Sequence, residues 1–207
     1  MLPYLVFGLT YGFACAVQPG PFQAYLVSLA LAHGWRRALP AALAPLLSDG
    51  PIALAALFVL SHLPGRALQG LRLAGGAFLL YLAYGAYRSW RDAREAASRD
   101  AGSPARNLFQ AAVVNLLNPN PYLGWSLVMG PLLLKGWREA PASGIALVVS
   151  FYATIVLAQA GIVMLSAGAR KIGPKASRPL VGASAVALAA FGIYQLWTGA
   201  AALWIGG

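Results

Sequence analysis

From the N-terminus onward, the chain alternates long apolar runs with short polar intervals. Six runs stand out, over roughly 4–32, 38–61, 68–88, 107–134, 143–169 and 179–205. Each can supply the ~20 predominantly apolar residues that a helix needs to cross a bilayer. The polar intervals are short except for 89–106, which is charged and poor in apolar residues. That interval reads as a flexible connector or a short interfacial helix. The pattern predicts an all-α integral membrane protein with six transmembrane helices, forming one domain over 1–207.

The first and fourth runs are longer than a straight crossing requires, and each is interrupted. Gln18-Pro19-Gly20-Pro21 lies inside the first and Asn118-Pro119-Asn120-Pro121 inside the fourth. Proline lacks the N–H of a helix bond and crowds the carbonyl four residues back. Helices 1 and 4 are therefore expected to break at Pro-x-Pro, freeing the carbonyls of Cys15 and Val17, and of Asn115 and Leu117. Free backbone groups at membrane depth are tolerated only against protein or a watery cavity. Each break would also begin a half-helix whose N–H groups suit a carboxylate, while the freed carbonyls suit an ammonium group. The candidate substrate-binding residues are thus Gln18, Pro19, Gly20 and Pro21, with Asn115, Asn118, Pro119, Asn120 and Pro121. A plain proline kink is the structural alternative. Asn118, directly before Pro119, is a natural helix cap.

The two breaks belong to a longer correspondence. Gly34-Trp35-Arg36 and Gly136-Trp137-Arg138 follow them at an offset of 102. Gly85-Ala86-Tyr87-Arg88-Ser89-Trp90 and Gly192-Ile193-Tyr194-Gln195-Leu196-Trp197 follow in turn at an offset of 107. Matches at Trp, Tyr and Pro in one order indicate an internal repeat. Repeat 1 covers about 1–90 and repeat 2 about 107–207. Three spans per repeat is an odd number, so the second repeat would be inverted in the membrane. Inverted repeats with interrupted helices in matching places mark secondary transporters and point to their binding site.

Composition agrees with a bilayer. The chain is 59% hydrophobic and 10% charged, against about 25% charged in soluble domains. The net charge of +10 does not indicate nucleic acid, because the basic residues lie between the apolar runs. They are also unevenly distributed. Intervals after runs 1, 3 and 5 hold eleven: Arg36, Arg37, Arg88, Arg91, Arg94, Arg99, Arg106, Arg170, Lys171, Lys175 and Arg178. Intervals after runs 2 and 4 hold four: Arg66, Arg72, Lys135 and Arg138. Positive charge favours the cytoplasmic side, so the odd-numbered loops are expected there and both termini outside. Trp35, Trp90, Trp137, Trp197 and Trp204 fall near run edges and read as interfacial anchors. Ala14-Cys15-Ala16 resembles a signal-peptide cleavage site, but no basic residue precedes the run, so it is read as the first span.

Candidate chemistry is sparse. The one cysteine, Cys15, excludes an internal disulfide. His33 and His62 are far apart with no cysteine cluster, so neither a metal site nor another cofactor is expected. Asp49, inside Ser48-Asp49-Gly50-Pro51, is the one carboxylate well within a span. Intramembrane acids are rare and usually functional. Asp49 reads as a proton-coupling or substrate-binding group, and it could also cap a half-helix begun by Pro51. It stands without a nucleophile or base beside it, which argues against an enzyme. Gln18, Gln23, Asn115, Asn118, Asn120, Ser150, Thr154 and Gln159 are polar positions within spans, each as well suited to helix-to-helix hydrogen bonds as to a solute. Gly8-x-x-x-Gly12 is a weak candidate for a packing face, and small-residue faces are compatible with a homodimer.

These residues together resemble the lysine exporter (LysE) superfamily, in its amino-acid exporter branch. The resemblance rests on Pro19-Gly20-Pro21 in span 1 and on the stretch from Gly34 to Asp49 in span 2. In span 3 it rests on Gly76-Ala77-Phe78-Leu79-Leu80-Tyr81-Leu82, and in span 4 on Phe109 with Asn115-Leu116-Leu117-Asn118-Pro119. Asn120 stands where the family has lysine, and Ala112 where it has glycine. Losing that lysine implies a lost carboxylate contact or a more cationic cargo. The resemblance implies a multi-pass protein of the bacterial inner membrane that exports amino acids or similar solutes, coupled to protons. Superfamily relatives that move metal or inorganic ions supply an alternative cargo, and a non-transporting assembly subunit is a third reading.

Overall fold

The computed structural model describes residues 1–58, 65–91, 103–171 and 174–205. Most of the 89–106 interval therefore lies outside the described residues. Its two edges continue the flanking helices. Among the described residues the chain is helical and contains no strand. The helices are α1 (Leu2–Val17), α2 (Pro21–His33), α3 (Trp35–Ala38), α4 (Ala44–Phe58), α5 (Gly65–Arg91) and α6 (Pro104–Leu116), followed by α7 (Pro119–Gly124), α8 (Gly130–Glu139), α9 (Pro141–Lys171) and α10 (Pro174–Ile205). A 3₁₀ turn, Leu39–Leu43, joins α3 to α4, and a π-helical turn, Trp125–Met129, joins α7 to α8.

Among the described residues, three stretches are long and apolar enough to cross a membrane: Trp35–Ala56, Pro141–Ala169 and Val181–Ala202. The first and fourth apolar runs do not form single long helices. The helix ends at Val17 and resumes at Pro21, and ends at Leu116 and resumes at Pro119. Both new helices begin on a proline, whose missing N–H has no intrahelical partner at that position anyway.

The burial pattern is that of a protein sitting in lipid. On α1 the buried residues are Tyr4, Gly8, Gly12 and Ala16, a stripe repeating every fourth residue. Leu2, Val6, Leu9, Phe13 and Val17 face outward. On α9, Leu147, Phe151, Ile155, Gln159, Val163 and Ala167 are buried, while Val149, Leu157 and Leu165 are exposed. The interior also holds polar residues, among them Ser28, Ser48, Asp49, Asn107, Asn115, Asn118, Gln159 and Gln195. Polar groups turned inward and aliphatic side chains turned outward suit a hydrocarbon solvent.

Two helix pairs form the main contacts. α1 lies along α9 in the same direction, since Gly8 meets Leu147–Phe151 and Gly12 meets Phe151–Thr154. A Cβ on Gly8 would fall 2.6 Å from the Leu147 carbonyl oxygen, and one on Gly12 would fall 2.7 Å from that of Phe151. The Gly8-x-x-x-Gly12 stripe is therefore a packing face. α5 and α10 run antiparallel. Gly76 meets Gly192, Leu73 meets Gly199, and Trp90 meets Gly182.

One expectation needs correction. Asp49 does not cap a half-helix: α4 runs from Ala44 to Phe58 with Pro51 inside it. The two Gly-Trp-Arg triplets also take different conformations. Gly34 ends α2 with φ 79° and reverses the chain, a geometry that favours glycine. Gly136 lies inside α8, where a Cβ would fall 2.9 Å from the Tyr4 ring, and the chain leaves the helix at Ala140 in an extended conformation. One glycine supplies a turn and the other a close approach.

Candidate functional site

A cavity of about 280 Å³ lies between the two interruptions. From the first it is lined by Gln18, Pro19 and Gly20, and from the second by Asn118, Asn120 and Pro121. Asp49 and Asn115 complete the polar wall. Of the candidate residues, Pro21 and Pro119 lie outside the lining. Both are buried as the first residues of α2 and α7.

Asp49 is 4% exposed, and each of its carboxyl oxygens accepts a hydrogen bond from a side chain. The Asn115 side-chain N–H donates to Asp49 Oδ1 at 2.7 Å and lies 2.7 Å from Ser48 Oγ. The Tyr152 hydroxyl donates to Asp49 Oδ2 at 3.2 Å. A buried carboxyl needs such partners. The Trp125 indole N–H lies beside Asp49 and Tyr152 but meets no acceptor in hydrogen-bond geometry. Trp125 and Met129, at the two ends of the π-helical turn, both line the cavity. Such turns often occur at functional sites.

The freed carbonyls are largely taken up by the protein. Gln23 donates its side-chain amide to the carbonyls of Cys15, at 3.1 Å, and Ala16, at 3.2 Å. The Asn115 carbonyl accepts from the Asn118 N–H at 3.2 Å. The Leu116 carbonyl accepts from the Tyr122 hydroxyl at 3.0 Å. The Leu117 carbonyl turns toward α5, where a Cβ on Gly75 would fall 2.5 Å from it. Asn118 caps α7, its Oδ1 accepting from the Asn120 N–H at 3.1 Å. The α2 start has no side-chain cap. The Phe22 and Gln23 N–H groups precede its first intrahelical bond, from Ala24 N–H to the Gly20 carbonyl.

Aromatic and apolar groups complete the enclosure, among them Tyr11, Phe22, Phe151 and Ile155. Gln159 also lines it, 1% exposed, with its side-chain oxygen unpartnered. Of the other polar positions singled out in the sequence, Ser150 bonds back to the Leu147 carbonyl at 3.1 Å, and Thr154 packs near Gly12. Tyr11, Tyr152 and Trp125 carry no local signal in the sequence that would single them out. No cluster of three His, Cys, Asp or Glu residues that could hold a metal occurs among the described residues.

A polar cavity with a buried acid, enclosed by helices with outward aliphatic faces, is the arrangement of a membrane protein. Residues 13–199 match the family described as LysE type translocator. The match spans most of the chain, and the protein belongs to that family. The chain is also similar to the "Chemotactic transduction protein ChpE" of Pseudomonas aeruginosa PAO1, at 34% identity over 129 residues. That alignment spans 60% of this chain and 63% of the relative. No solved structure matches.

Proposed function

We propose that the protein is a secondary-active exporter of amino acids or related small solutes, driven by protons and working by alternating access. The observation that carries this reading is Asp49: one buried carboxyl, tied to α6 and α9, at the wall of a cavity between two interrupted helices. A zwitterion fits the arrangement. Its carboxylate would meet the uncapped start of α2 and its ammonium group Asp49. Protonation of Asp49 would release the ammonium group, which links cargo to proton.

Six crossings arranged as two inverted repeats suit the same reading. α1 and α2 are each too short to span the ~30 Å hydrocarbon alone, and the pair would form one interrupted crossing. α6 with α7 and α8 would form its counterpart. The parallel run of α1 with α9 and the antiparallel run of α5 with α10 are the directions that six successive crossings produce. Family membership suggests the bacterial inner membrane, and the distribution of Lys and Arg favours cytoplasmic odd-numbered loops. A reporter at Gly207 active only outside the cytoplasm would agree with it.

The relative's name favours a second reading, a membrane component of a signalling assembly that moves no solute. Flux measurements separate the two. Proteoliposomes loaded with labelled amino acids and given a pH gradient should show proton-dependent efflux, lost in Asp49→Asn. Flux that persists unchanged in that variant would overturn the coupling role. A folded native protein with no flux for any amino acid would favour the signalling reading.

A further inference from the structure

A second concavity, of about 610 Å³, lies on the outer face of the protein between α5 and α10. Its walls are aromatic on one side, with Tyr84, Tyr87 and Trp90 from α5. Its floor is made of small residues, with Gly182, Ala185 and Ala189 from α10. Tyr84 is 60% exposed and Val186 is 69% exposed, so the groove opens to the surroundings. One end is basic. The Arg88 guanidinium lies 5.9 Å over the Tyr84 ring, and that of Arg91 lies 6.0 Å over the Tyr87 ring. These contacts hold two cations against two aromatic residues of the groove wall.

We propose that this groove seats one anionic phospholipid, with its phosphate at Arg88 and Arg91 and an acyl chain along the channel. Length supports the match. The α5 wall runs from Leu80 to Trp90, and the α10 wall from Pro179 to Ala189. Ten residues of helix rise about 15 Å, which is half of the ~30 Å hydrocarbon thickness and so one leaflet. Charge supports it too, because basic pockets between membrane helices bind anionic headgroups. A second copy of the chain fits less well. Two grooves facing across a two-fold axis along the membrane normal would set both pairs of arginines at one level, and two concave faces would not fill each other.

Native mass spectrometry of the full-length protein tests this, with phosphatidylglycerol and phosphatidylcholine of identical acyl chains offered in turn. The native protein should retain phosphatidylglycerol preferentially, on the order of tenfold. R88Q/R91Q should bring the two lipids to within about twofold of each other. V186W should fill the channel and lower retention of both, and it carries the test if the arginine variant fails to fold. R36Q removes a guanidinium over the Trp35 ring, 5.3 Å from its centroid, but away from the groove. It should leave the preference intact. Equal retention of the two lipids, an R36Q effect as large as that of R88Q/R91Q, undiminished retention in V186W, or a lipid-free dimer would overturn the proposal.

Discussion

The two interruptions look alike in sequence and are finished differently. At the first, the chain passes from α1 to α2 through Gly20 in an extended conformation, and no side chain caps the new helix. Its stabilising bonds run backward, from Gln23 to the carbonyls of Cys15 and Ala16. At the second, Asn118 caps the new helix, Tyr122 covers the Leu116 carbonyl, and Asn115 is tied to Asp49. The first break leaves its new helix without a side-chain cap, whereas the second uses its polar groups to hold the frame. Matching proline motifs therefore need not carry matching roles. On the proposed reading, the first break would meet the solute and the second would fix the acid that faces it.

The strongest way to break this comparison is Asn115→Ala. The substitution removes the 2.7 Å donor from Asp49 and the partner of Ser48 at once. A buried acceptor stripped of its partner loses about 1–3 kcal/mol, more when charged. The expected result is a loss of about 3 kcal/mol in unfolding free energy and loss of flux. A shift of under 0.5 kcal/mol would mean that Asn115 does not frame the acid.

Next in size is Gln23→Met. The methionine fills similar space but leaves the Cys15 and Ala16 carbonyls without their side-chain donor. About 1–2 kcal/mol of stability should go, and the apparent KM for cargo should rise because the α2 start is no longer held in place. An unchanged KM with lowered stability would show that the first break is as structural as the second.

Much of this was visible in the sequence, and what was not has a physical cause. The interruptions were legible because proline acts locally, through its own missing N–H and its own ring. Asp49 was legible because an acid in an apolar run is conspicuous wherever it ends up. Its partner Tyr152 was not, since tyrosine is an ordinary residue in a membrane helix and the two are 103 positions apart. Gly8 and Gly12 were visible but ambiguous in a chain with 23 glycines. Only the proximity of α9 makes them a packing face. Gly34 and Gly136 show the reverse problem. The same triplet is a turn in one place and helix interior in the other, because what surrounds it decides which property of glycine is used.

A smaller effect should come from Asn118→Ala. Loss of a helix cap removes about 1 kcal/mol. If the second break is a frame, thermal unfolding should fall accordingly while KM stays near the native value. A large rise in KM with little loss of stability would exchange the roles assigned to the two breaks.

Tyr152→Phe should be the mildest. The ring keeps its edge contact with Phe151, whose centroid lies 5.1 Å away, so packing survives. Only the 3.2 Å bond to Asp49 Oδ2 is lost. Hydrogen bonds between membrane helices average about 0.6 kcal/mol, and the stability change should be of that order. The functional change should be larger than the structural one. Asn115 would still hold Oδ1, while Oδ2 would face the cavity with no protein donor assigned to it. Efflux from proteoliposomes should then keep its dependence on the pH gradient but shift in the pH at which it is half-maximal. An identical pH profile in Tyr152→Phe would mean that the hydroxyl only fills space, and that Asn115 alone, from the side of the second break, sets the state of the acid.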